Sequence, residues 1–97
     1  MNKIIINSSV LHRLLFGALT PLIPEPNDYE VSVKCIDGLL SIGNHERTLY
    51  VTTNSDFDME IPISHLRRLF RILSTIEEQP ITISFSYSYI ELFNILI

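Results

Sequence analysis

Three arginines in the second half of the chain are the residues whose type and spacing could do chemistry. Arg67, Arg68 and Arg71 recur at the spacing of neighbours on one helical surface, and the segment 65–76 contains no acidic residue. Such a cluster can neutralise a few phosphates through loose, salt-sensitive contacts that do not read base sequence. The ordinary explanation is that a surface helix has a polar outer face and that arginine is a good helix former.

The segment around these arginines has the pattern of an amphipathic helix, predicted over residues 65–76. Ser64 precedes it, where its hydroxyl can cap the first turn. Arg67 and Arg68 then fall in or just after that turn, where a cation opposes the helix dipole by roughly a few tenths of a kcal/mol. Stability alone would favour glutamate at both positions. The apolar stripe consists of Leu66, Leu69, Phe70, Leu73 and Ile76.

A second helix with the same features is predicted over residues 9–20, with Arg13 as its cation. Together the two helical segments carry four arginines and no acid, a charge of +4. The remaining residues hold three cations and all eleven acids, so they carry −8 and the whole chain −4. The helices therefore carry the cationic layer of a chain whose net charge argues against indiscriminate nucleic-acid binding.

Length and composition bound the class of protein. The chain has 97 residues, of which 46% are hydrophobic and 19% charged, as is typical of one ordered globular domain. We expect neither a membrane span nor a secretory leader, and therefore a cytoplasmic protein without a membrane partner. Cys35 lies alone in an alternating strand, as expected of a small buried thiol.

No enzymatic or metal site is expected. His12, His45 and His65 lack metal-ligand spacing and any carboxylate grouping. Glu77 and Glu78 stand beside a proline in a predicted turn, where carboxylates are usually solvated. The sequence has no glycine-rich phosphate loop, nucleophile elbow or cysteine–histidine pair. We therefore expect a protein that is not an enzyme, with no catalytic residue, no cofactor and no metal ion.

Alternating segments surround the helices and predict an α+β fold, with two short helices packed on one face of antiparallel sheet. Asp37-Gly38 is the favoured two-residue hairpin turn, and another tight turn is expected near Tyr87-Ser88. Pro62 cannot donate to a ladder, so its strand should lie at an edge or end there. The proline-rich stretch 21–28 is predicted as a surface connector. Strands are expected over residues 3–7, 29–36, 39–42, 47–53, 57–63, 81–86 and 89–95.

The same order of elements occurs twice along the chain. SVLHRLL, beginning at Ser9, matches SHLRRLF, beginning at Ser64, at an offset of 55. The alternating strand around Val33 matches the one around Ile83 at an offset of 50. Each unit consists of a strand, a helix, a strand, a tight turn and a strand. We predict one domain, residues 1–97, built from two pseudo-symmetric units over residues 3–54 and 56–97.

Two such units in tandem resemble one domain of the DNA sliding clamps, the processivity factors of DNA polymerases. The resemblance rests on IINSSVLHRLLFGAL and YEVSVKCIDGLLSI in the first unit and on ISHLRRLFRIL and ITISFSYSYIEL in the second. In that family the helices line the inner surface of a closed ring and face the duplex. Carried over by position, the resemblance implies that the residues facing phosphate are Arg13, Arg67, Arg68 and Arg71, with His12 as a weaker member.

Clamp rings contain six domain copies and this chain supplies one, so we expect a homodimer or a higher homo-oligomer. The second unit is expected to end one strand short, without a counterpart of the strand 47–53. Its last strand would then be an apolar edge with free backbone groups, which a twofold contact with itself or with the strand 57–63 would cover. The residues predicted for this edge are Tyr89, Glu91, Phe93 and Ile95.

Two functions are consistent with these patterns. The first is a non-enzymatic clamp-like module that contacts duplex DNA non-specifically through its basic helical face after self-association. The alternative is a protein-binding adaptor or inhibitor that acts through its acidic sheet side or through its tyrosine-rich terminal strand edge. The identity of a protein partner does not follow from the sequence.

Overall fold

The computed structural model describes residues 2–19, 29–43 and 48–97. Within them the chain is α+β, as predicted, with two helices and nine strands. The elements in chain order are β1 (Asn2–Asn7), α1 (Ser8–Leu19), β2 (Glu30–Ile36), β3 (Leu39–Ile42), β4 (Leu49–Tyr50), β5 (Thr52–Thr53), β6 (Phe57–Pro62), α2 (Ile63–Leu73), β7 (Pro80–Phe85), β8 (Ile90–Leu92) and β9 (Ile95–Leu96). The connector 21–28, with Thr20, His45 and Arg47, lies outside the described residues.

The strands form two antiparallel sheets, and each sheet combines strands from both halves of the chain. One has the order β5-β1-β7-β8-β9 and the other β4-β3-β2-β6. The strand before α1 therefore pairs with the strand after α2, with Ile4 opposite Ile83. The strand before α2 pairs with the strand after α1, with Met59 opposite Val33.

The core follows from the two periodicities of the sequence. Alternate strand residues such as Ile4, Ile61 and Ile83 are fully buried, and so are Leu11 and Leu66 of the helical stripes. They belong to one hydrophobic cluster that joins both sheets and both helices. Each fully buried aliphatic side chain contributes roughly 1.5–3 kcal/mol relative to its exposed state.

Two hairpins have two-residue turns in which both residues adopt positive φ angles. Asp37 (φ 53°) and Gly38 (φ 79°) join β2 to β3 as predicted, because this backbone twist matches that of the strands. Phe93 (φ 52°) and Asn94 (φ 63°) form a second turn of this kind, which we did not predict. The tight turn predicted near Tyr87-Ser88 is present between β7 and β8, with the Ser86 N–H donating to the Tyr89 carbonyl over 3.0 Å.

The prediction of one terminal strand over residues 89–95 is wrong. The turn at Phe93-Asn94 divides it into β8 and β9, which pair with each other. Ile90 and Ile97 exchange both backbone hydrogen bonds, at 3.1 and 2.7 Å. The second unit therefore does not stop at β8 as expected, and the outer position next to β8 is filled by β9.

The predicted strand 47–53 is also divided. Within its described part, β4 pairs with β3 in one sheet and β5 pairs with β1 in the other. Val51 lies between them, and its N–H donates to the Gly38 carbonyl over 2.8 Å. The chain changes sheets at this residue, so no continuous ladder can form across it.

The helix ends differ from the predictions by up to three residues. α2 begins at Ile63, whose N–H donates to the Tyr29 carbonyl over 2.7 Å, so strand pairing continues into the first helical residue. The N-cap is Pro62 without a side-chain cap, and Ser64 lies inside the helix instead of capping it. At α1 the cap comes from Asn7, whose side-chain oxygen accepts the Ser9 N–H over 3.0 Å.

The C-terminal end of α2 comes earlier in the chain than we expected. The helix ends at Leu73, and residues 74–76 form a turn instead of its last turn. The following segment is bound to the start of α1, where the Ser8 N–H donates to the Gln79 carbonyl over 2.8 Å. No helix of the described residues is long and apolar enough to cross a membrane.

Candidate nucleic-acid interface

The two helices pack side by side through aromatic rings. The His12 ring stacks on Phe70 with a centroid distance of 4.4 Å and an interplanar angle of 13°. The ring centroid of Phe16 lies 6.3 Å from that of Phe70. Hydrogen bonds from Ser9 to Glu78 (2.7 Å) and from the Ser8 N–H to Gln79 place the start of α1 beside the segment that follows α2.

This packing brings both cationic helices into one layer. Arg13, Arg68 and Arg71 are exposed, and Arg67 is half-buried. Within the described part of the chain, no hydrogen bond or ion pair joins any of these four guanidinium groups to another residue. Neither helix has an acidic residue in its first turn. Arg13, Arg68 and Arg71 are therefore exposed cations without a partner in the described part of the chain.

The structure contradicts the prediction that Arg67 and Arg68 lie where a cation opposes the dipole of α2. Because α2 begins at Ile63, both residues lie beyond its first turn, where the dipole effect has fallen off. Arg71 lies in the last turn, where a cation is favourable. An anion site is therefore supported by the absence of partners among the described residues and not by a cost in helix stability.

His12 has a second role that the sequence did not indicate. It is half-buried, and one face of its ring is covered by Phe70, so it contributes to packing between the helices. Its predicted contact with phosphate stays a prediction. His65 in the first turn of α2 is also half-buried, and its Nδ1 has no hydrogen-bond partner among the described residues.

A groove of about 270 Å³ adjoins the cationic layer at the terminal hairpin. Arg68, Arg71 and Ile72 form one wall, and the last three residues, 95–97, form the other. Ile95 and Leu96 are 54% and 65% exposed. The apolar edge of the five-stranded sheet therefore lies directly beside two of the arginines.

The four residues predicted for the oligomer edge do not share one free strand edge, and their part in self-association stays a prediction. Glu91 lies opposite both Ser84 and Leu96, so β8 is paired on both sides and is not an edge. Tyr89 is half-buried beside the turn that precedes β8. Phe93 and Ile95 remain exposed, and the free edge belongs to β9. Leu96 was missed, although Asn94 is a residue that favours turns and could have indicated the break.

Acidic side chains lie on the outer face of the four-stranded sheet. Glu30, Asp58 and Glu60 are exposed there, and Lys34 stands opposite Asp58 in the ladder. Tyr87, 76% exposed, marks the turn before β8 in the other sheet. These exposed acids agree with the charge division predicted from the sequence, but Glu78 lies beside the start of α1, where it accepts from Ser9.

The lone cysteine and the possible metal ligands are the other groups singled out from the sequence. Cys35 is buried as predicted, and this burial raises the pKa of its thiol, with a hydrogen bond to Thr53 as a smaller opposing influence. Among the described residues, no three histidine, cysteine or acidic side chains come together as a metal site. Comparison with protein-family models, curated proteins and solved structures found no match to this chain.

Proposed function

We propose that this protein is a non-enzymatic clamp-like module that contacts duplex DNA non-specifically through its helical face after self-association. The observation that carries the proposal is the layer formed by α1 and α2, with four arginines, no acid on either helix and no partner for the guanidinium groups within the described chain. Contacts of this kind bind the phosphate backbone and do not select a base sequence.

Agreement between the sequence repeat and the strand pairing supports a clamp-like arrangement of two pseudo-symmetric units. The offset of 55 carries Ile4 to Met59, and the offset of 50 carries Val33 to Ile83. These residues are the partners in the two ladders, where Ile4 faces Ile83 and Met59 faces Val33. The orders β1-β7-β8-β9 and β6-β2-β3-β4 correspond strand by strand.

The repeat also relates cations on the two helices. The offset of 55 carries Arg13 to Arg68, and both side chains are exposed. Two related units thus present a cation at the same position of the helical layer. One copy offers few phosphate contacts, so several copies side by side are needed before such contacts add up to useful affinity.

A salt titration of duplex binding tests the proposal. The change is Arg68→Gln with Arg71→Gln, and the matched control is Lys3→Gln with Lys34→Gln, which removes the same charge from exposed positions outside the helices. Loss of two phosphate contacts per copy should reduce the slope of log K against log salt by about 2 for each copy that contacts the duplex. Fluorescence anisotropy with a labelled duplex at several low salt concentrations measures this slope.

Two results would reject DNA binding by this face. One is the absence of any duplex binding by the oligomer at low salt. The other is an equal loss of binding in the arginine and lysine variants, because a response to net charge alone does not locate a surface.

A second candidate function is a protein-binding adaptor or inhibitor, favoured by the exposed acids of the four-stranded sheet and by Tyr87. An acidic sheet face repels DNA and attracts cationic protein segments. Capture of a protein partner that nuclease treatment does not disturb, together with no duplex binding, would favour this function over the first.

A further inference from the structure

The backbone groups on the outer side of β6 can be assigned from the hydrogen bonds of its neighbours. In an antiparallel ladder, successive residues direct their N–H and C=O groups to opposite sides. The Gly43 N–H donates to the Ser32 carbonyl over 2.7 Å, so Ser32 faces β3. Its neighbour Val33 therefore faces β6, where it bonds with Met59 directly opposite.

Asp58 and Glu60 flank Met59, so their backbone N–H and C=O groups point away from β2, towards the edge of the sheet. Among the described residues β6 is the terminal strand of its sheet, and no hydrogen bond outside the ladder with β2 involves the N–H or C=O of either acid. Pro62 closes the row, since it has no N–H and its carbonyl, at the N-cap of α2, accepts the first hydrogen bond of the helix. This edge presents two donors and two acceptors in the spacing of a strand.

The corresponding edge of the other sheet is covered. β1 occupies there the position that β6 occupies in its own sheet, and β5 pairs with its outer side. The Lys3 N–H donates to the Asn54 side chain over 3.0 Å, and its carbonyl accepts from Thr53 over 3.1 Å. The fold thus already accommodates a short strand at the matching position of β1.

The side chains of β6 determine the kind of strand that fits its edge. Asp58 has a cation opposite it, Lys34, whereas Glu60 faces the neutral Ser32. A second copy of β6 would bring four carboxylates together, and like charges facing each other across a ladder are destabilising. A strand with lysine or arginine at alternate positions places its cations beside both acids.

We propose that the β6 edge binds an extended cationic segment of a partner protein by strand addition. Backbone hydrogen bonds to Asp58 and Glu60 provide the attachment, and the two carboxylates select for positive charge. The inference is independent of DNA binding, because it uses the acidic edge of a sheet and no residue of the helical layer.

Amide exchange in the presence of a model ligand tests this register. The probe is a capped hexapeptide in which lysine alternates with threonine, added to the full chain at low salt. Amide protons of Asp58 and Glu60 should exchange rapidly in the free protein and become protected with peptide. Those of Met59 and Ile61 bond to β2 and should be protected in both states, which also reports that each variant is folded.

Charge-matched variants separate the edge from a general attraction. Asp58→Asn with Glu60→Gln should weaken peptide binding about tenfold, because two cross-strand charge pairs are lost. Glu77→Gln with Glu78→Gln removes equal charge elsewhere and should leave binding unchanged. Equal weakening in both variants, or protection that spares Asp58 and Glu60, overturns the proposal. So does protection of these two amides that rises with protein concentration alone, since the occupant is then a second copy.

Discussion

Burial raises the pKa of the Cys35 thiol above its ordinary value of 9.0. The folded chain keeps the thiol proton at pH values where the unfolded chain releases it. The shift therefore contributes stability that is present below the unfolded pKa and lost as pH rises through the folded pKa.

We expect Cys35→Ala to unfold more easily at neutral pH by about 1 kcal/mol, because it leaves a small cavity. The difference from the unaltered protein should narrow as pH rises above 9, since only the unaltered protein has a thiol to ionise. Urea unfolding at pH 7 and pH 10 measures both values. A difference that stays constant over this range would contradict the pKa shift.

The turn between β8 and β9 has an unfavourable backbone conformation. Phe93 and Asn94 both adopt positive φ, a backbone conformation that is unfavourable for a bulky residue such as phenylalanine. Asn-Gly is the favoured pair for this turn. Phe93→Asn with Asn94→Gly should raise the free energy of unfolding by about 1 kcal/mol, despite the loss of a half-exposed ring.

Chemical denaturation of the double variant measures this change. The control is Tyr87→Asn, which alters another exposed turn residue without positive φ and should have little effect. Phe57→Leu is not a suitable control, because it alters the core. Destabilisation by the Asn-Gly pair would show that the Phe93 ring contributes more through packing than its backbone costs.

The exposed edge of the five-stranded sheet favours self-association of the chain. β9 is a free edge with Ile95 and Leu96 exposed, and only an asparagine in the preceding turn interrupts its apolar surface. Natural edges of this kind are usually protected by charge, proline or a bulge. We expect the 11.2 kDa chain to form dimers or higher oligomers at micromolar concentration.

Sedimentation equilibrium measures this assembly directly. Leu96→Lys places a charge on the exposed edge and should shift the equilibrium towards monomer. Thr82→Lys adds the same charge at an exposed position of β7, which is paired on both sides, and should not do so. If the unaltered chain is a monomer, the prediction of self-association is wrong. Any binding then uses the charged surfaces of a single copy.

Much of the architecture could be predicted because it depends on local pattern. The helical stripe of Leu66 and Leu69, the alternation around Val33 and the Asp37-Gly38 turn are each set by the spacing or type of neighbouring residues. The separation of charge between helices and strands was likewise visible from the positions of arginine and acid along the chain. Periodicity indicates which residues must be buried before the partner element is known.

Other features were decided only by tertiary structure, because they depend on pairing between distant residues. Val51 divides a continuous β pattern by changing sheets, and the Tyr29 carbonyl starts α2 at Ile63 by accepting its N–H. The free edge moved from Tyr89 to Leu96 once β9 folded back on β8. The sequence determined which residues carry charge and which are buried, whereas the ladders decided which backbone groups and arginines remain free, since hydrogen-bond partners are chosen in space.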